Sequence, residues 1–191
     1  MSMAAANGPR ASAWMDLPVY DAESGALNVV IETVQGSHCK VKLDVEHGLF
    51  KLGEVLPAGS VFPYDFGFVP STRGDDGDPL DVLVLMDAAT FPGCLVPCRL
   101  LGVLESRQRE KGGKLIRNDR LVAVPEGNHS HSDARKLKDL NTRLLDEIQH
   151  FFEQYAAMSG KQVTALRRAG VGTAEKLIRK GERRYRENGE A

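Results

Sequence analysis

The 191-residue sequence carries almost no net charge: 25 Lys and Arg stand against 26 Asp and Glu, a sum of −1 at pH 7. That balance excludes a dedicated DNA-coating or membrane-surface protein, which is clearly basic. With 42% apolar residues it also excludes intrinsic disorder. Cysteine is scarce. Cys39, Cys94 and Cys98 are an odd number for a disulfide framework, and Cys94 and Cys98 lack the second pair a zinc site needs. All three are expected as reduced thiols, which points to a cytoplasmic protein. No apolar run approaches the ~20 residues of a membrane span. The first fifteen residues hold one basic residue, Arg10, and no continuous apolar region, so no secretory signal is expected. The same stretch is Ala/Ser-rich and free of acids, which leaves an organelle transit peptide as the alternative to a plain tail.

What is present reads as one domain with terminal extensions. Asn28–Val34 and Cys39–Val45 are β-rich runs joined by a Gly-containing link. Phe62, Tyr64, Phe66 and Phe68 alternate, which predicts four rings on one face of a strand. Residues 82–86 form a short apolar run typical of a buried strand, and 95–104 and 121–124 add two more. Residues 105–120 read as a hairpin excursion. From Asn141 to Gly160, Leu144, Leu145, Ile148, Phe151, Phe152 and Tyr155 recur at helical spacing. A second helix is predicted from Thr173 to Glu187. Strands followed by helices imply an α+β fold centred on a small barrel or curled sheet. The predicted organisation is a flexible extension over 1–20, a domain over 21–160 and a basic helical extension packed on it over 161–191. That last segment holds nine basic and four acidic side chains.

The chemistry concentrates in Asp76-Gly77-Asp78-Pro79-Leu80-Asp81. Three carboxylates on a Gly/Pro-shaped turn offer oxygen ligands to a hard cation such as Mg²⁺. A solvated Asp-rich turn is the plainer reading. Asp81 weighs against it, because it borders an apolar strand where an unpaired charge is costly.

This stretch, DDGDPLDVLVL at 75–85, resembles the signature of soluble family I inorganic pyrophosphatases. NVVIE at 28–32, GSHCK at 36–40, FPYDFGFVPST at 62–72, GCLVPCRLLGVLE at 93–105, RLVAVP at 120–125 and HFFEQY at 150–155 follow in the family's order. The resemblance implies a five-stranded OB-like barrel with flanking helices, and Mg²⁺-dependent hydrolysis of pyrophosphate to two phosphates. It implies metal-ligand roles for Asp76, Asp81 and Glu32, and for Asp78 a part in generating the attacking hydroxide. Lys40 and Arg120 match cationic phosphate contacts, and Tyr155 matches a phenol that hydrogen-bonds phosphate. A homo-oligomer, hexameric in the bacterial type, is also implied, with neither nucleic acid nor membrane as partner. Two other readings stand beside it: hydrolysis of a different phosphoanhydride, and a non-catalytic OB-like module that stacks bases on Phe62, Tyr64, Phe66 and Phe68.

The sequence departs from the family pattern inside the site the resemblance implies. Lys42 stands for an acid, Glu54 for an arginine, Phe62 and Phe66 for tyrosines, Asn118 for a metal-binding aspartate and Ala156 for a lysine. Asn118 still offers a neutral oxygen to a metal, and strand alternation turns Asp119 to the other face. Lys42 and Glu54 invert the charges at their positions, which predicts a sign-reversed pair across adjacent strands.

Overall fold

The computed structural model describes residues 13–109 and 113–189. Its elements in chain order are β1 (Leu27–Thr33), β2 (Cys39–Asp44), β3 (Leu49–Val55), β4 (Asp65–Val69), β5 (Leu80–Val84), β6 (Leu95–Arg109), β7 (Leu115–Arg117), β8 (Arg120–Pro125), α1 (Thr142–Met158), β9 (Gln162–Ala169) and α2 (Val171–Gly189). β1 pairs with β4, β4 with β5, β5 with β8, β8 with β6, and β6 returns to β1. Five strands therefore close into the OB-like barrel that the sequence predicts. β2 and β3 form a separate hairpin against it, and β6 runs past the barrel to pair with β7 and β9. No helix among the described residues is long and apolar enough to cross a membrane.

The barrel strands are buried on both faces, which is why β5 and β8 read as continuous apolar runs rather than alternating ones. On one side Val29, Val82, Val84 and Leu121 pack with Ala174 and Ile178 of α2. On the other, Leu83, Leu85 and Val122 pack with Leu145, Ile148 and Phe152 of α1. Asn141 caps α1 by accepting the Arg143 N–H at 2.9 Å. Gly160 turns the chain out of it at φ +70°.

Several expectations change. The aromatic run does not keep to one face, although its phenylalanines lie in the core. Phe62, Phe66 and Phe68 are 1%, 5% and 2% exposed, and Phe68 packs with Met15 and Val30 in a different cluster from the other two. Their burial favours a core role over a base-stacking face. Part of the predicted basic helical extension is a strand, β9, held on β6 by backbone pairing and by Arg167 on Glu105. Most of the predicted N-terminal extension lies outside the described residues, but Met15 and Val19 are buried in the core.

Candidate active site

β5 and β8 are the parallel pair of the barrel, and their register sets Asp81 opposite Arg120. Asp76 and Asp78 sit in the turn leading into β5. Gly77, at φ +94°, supplies its left-handed step, and the Asp78 N–H donates to Asp76 Oδ1 at 3.2 Å. α2 clamps this turn from behind. The Arg73 N–H donates to the Gly181 carbonyl at 3.0 Å, while Lys180 and Arg184 both reach the Asp75 carboxylate. Helix and turn meet at Gly181, where a Cβ would lie 2.9 Å from Leu80 Cδ1 and 3.2 Å from Thr72 Cβ.

The turn opens on a cavity of about 500 Å³. Asp76, Asp78, Asp81 and Arg120 line it from β5, β8 and the turn before β5; Lys40, Lys42 and Glu54 line it from the β2–β3 hairpin, together with Phe62, Tyr155 and Ala156. Asn118 also lines it. Glu32 faces an adjoining hollow of about 80 Å³ together with Lys42, Asp78 and Asp81. The structure thus brings seven of the eight predicted site residues to one cavity and Glu32 to its annexe.

The carboxylates crowd one another. Burial, then the charges of Asp81 and Asp78, push Asp76 up to about 6. Burial drives Asp81 up as well, against the pull of Arg120, Lys40 and Lys42. Glu32 accepts the Leu43 N–H at 2.7 Å, yet burial raises it to about 7. Burial and the neighbouring Lys42 charge lower Lys40, whose ammonium lies 4.9 Å above the Tyr155 ring. Arg120 lies 4.2 Å over Phe152, and its buried Nε has no hydrogen-bond partner, a donor left for an anion.

Among the described residues no three His, Cys, Asp or Glu side chains form a ready cage for a metal. The donor set still fits Mg²⁺, which takes one or two carboxylates and fills its remaining positions with water and phosphate oxygens. Asp76 and Asp81 offer such carboxylates.

The departures from the family pattern find partners of their own. The predicted Lys42–Glu54 pair does not form. Strand register sets Lys42 opposite Lys51 and Glu54 opposite Lys40. The Lys42 ammonium instead lies 3.2 Å from Asp78 Oδ2. Glu54 accepts the Tyr155 hydroxyl at 2.7 Å and the Ser159 hydroxyl at 2.9 Å. Tyr155 is therefore in the cavity, but its single O–H is directed at Glu54. Asn118 donates to Gln108 Oε1 at 3.3 Å. Asp119 is taken up by Arg117 at 2.7 Å and the Ser106 N–H at 2.9 Å, so it cannot replace a ligand at 118. Sequence reasoning missed Ser159, Asp75 and α2 as supports of the site; only the doubled Asp75-Asp76 signalled any of them.

Comparison with known proteins agrees with this geometry. The family model described as inorganic pyrophosphatase matches residues 29–186. An inorganic pyrophosphatase of Nostoc sp. is 36% identical over 174 residues, 90% of this chain and 100% of its own length. One from Streptomyces coelicolor is 37% identical, covering 85% and 97%. The crystal structure of inorganic pyrophosphatase from Thermus thermophilus superposes with a TM-score of 0.81 at 33% identity, covering 91% of this chain and 98% of that one. The match runs through β9 and most of α2, so these elements lie inside the family's own span. The chain belongs to the inorganic pyrophosphatase family.

Proposed function

We propose that this chain hydrolyses inorganic pyrophosphate to two phosphates, with Mg²⁺ held by Asp76 and Asp81 and with Asp78 beside the attacked phosphorus. The observation that carries the reading is the convergence of three aspartates with Lys40 and Arg120 in one cavity. When bound, the metal supplies charge neutralisation of the phosphoanhydride and makes water acidic enough to attack near neutral pH. The residues do the rest. Arg120, with an unpartnered Nε, and Lys40 take phosphate oxygens and orient the anhydride. Asp78, at the open end of the turn, accepts a proton from the attacking water. Asn118 contributes at most a neutral oxygen.

Phosphate release from pyrophosphate, with and without Mg²⁺ and beside Asp78→Asn, tests this. Metal-dependent release that the variant loses is the expected result. The Glu54–Tyr155 contact favours a second reading, a phosphoanhydride with less charge at its far end. Turnover of an organic diphosphate ester without turnover of pyrophosphate would select it. The exposed apolar Leu49, Leu52, Val55 and Phe91 support a homo-oligomer, and three free cysteines support a cytoplasmic setting.

A further inference from the structure

Lys42 and Asp78 are exposed, their side chains 49% and 64% accessible. An ion pair between such exposed groups adds little to stability, so folding does not explain it. Its surroundings do. The hollow beside the main cavity is lined by three carboxylates, Glu32, Asp78 and Asp81, and by Lys42. It is built like a cation site, and a lysine ammonium already stands in it. A divalent ion entering there would have to displace that ammonium from Asp78 or sit against a like charge. A second hollow, bounded by Asp76, Asp81 and Asn118, has no such tenant: its one cation, Arg117, is bound to Glu105 and Asp119.

We propose that the Lys42 ammonium is a fixed, protein-borne cation in the Glu32–Asp78–Asp81 hollow, taking the place of one divalent ion. The site then loads its metal from the Asp76 side alone. It carries a smaller positive charge toward substrate than a site filled with divalent ions throughout. The consequence is a lower metal count per chain, independent of turnover. The inference rests on the metal-assisted reading above.

The test counts ions without substrate. Mn²⁺ is titrated into the full chain at pH 8, and free Mn²⁺ is read from its paramagnetic resonance signal. Lys42→Gln, which removes the charge and adds no ligand, is expected to bind one Mn²⁺ more per chain than the wild type. Lys42→Arg keeps the wild-type number. Glu32→Gln placed on Lys42→Gln removes the added ion again. Equal counts and affinities in the wild type and Lys42→Gln overturn the inference while leaving the metal site standing. So does an added ion in Lys42→Arg. No Mn²⁺ in any of these proteins overturns both readings. Melting of the metal-free proteins confirms the fold in each, as the exposure of position 42 leads one to expect.

Discussion

The two walls of the cavity are built to different rules. The wall of Asp76, Asp78, Asp81 and Arg120 hangs on β5 and β8, inside the barrel, with α2 clamped behind its turn. The wall of Lys42, Glu54, Tyr155 and Ala156 hangs on the β2–β3 hairpin and the outer end of α1. The first retains every carboxylate of the pattern at 75–85. The second has turned its charges inward: Lys42 toward Asp78, and Glu54 toward Tyr155 and Ser159. The aspartate turn proposed to serve water activation is kept, apart from Asn118 beside it, and the wall proposed to hold the far phosphate has satisfied its charges internally.

That contrast can be broken at either wall. The largest effect is expected at Asp78→Asn, where loss of a proton acceptor should lower kcat by about 10²–10⁴-fold in phosphate-release assays. Next comes Glu32→Gln. A carboxyl raised to about 7 when folded binds its proton more tightly than in the unfolded chain. Its contribution is therefore complete below about pH 4.5 and lost as pH rises through 7. The variant should match the wild type in metal-free thermal melts at pH 4.5. It should be the more stable by up to about 3 kcal/mol at pH 8, at about 1.4 kcal/mol per pH unit. On the facing wall, Glu54→Arg replaces a repulsion with a phosphate contact and frees the Tyr155 hydroxyl. A charged hydrogen bond of about 1.5–3 kcal/mol predicts a fall in KM for pyrophosphate of about 10- to 150-fold. The smallest effect belongs to Tyr155→Phe, whose hydroxyl is held by Glu54. KM should move less than about twofold in the wild-type background and rise clearly in the Glu54→Arg background. A large KM effect of Tyr155→Phe alone would erase the distinction between the walls.

The same division marks what the sequence makes legible. β1, β4, β5 and β8 announce themselves because strands buried on both faces are mostly apolar, and Asp81 stands out beside the apolar run that follows it. β3 and β9 do not. Leu49, Leu52 and Val55 are exposed on β3, which breaks its burial period, and β9 alternates only between exposed and half-buried positions, with no fully buried residue to mark it. β9 is fixed instead by β6 and by pairs such as Arg167–Glu105, which join distant positions. The partners of Lys42 and Glu54 were out of reach for a related reason. Alternation says which face a side chain takes, but strand register and the approach of α1 decide which opposite charge it meets. The pairing predicted from charge inversion assumed that two altered residues must answer each other; each answers an unaltered one.

Asp81 and Arg120 are register partners on neighbouring strands, so the spacing of their backbones belongs to the closed barrel, while Phe152 of α1 backs the guanidinium. Charges on the β2–β3 hairpin can change without moving these two backbone anchor points. A fold of this kind gives its catalytic core a fixed frame and leaves the opposite wall free to drift toward new substrates.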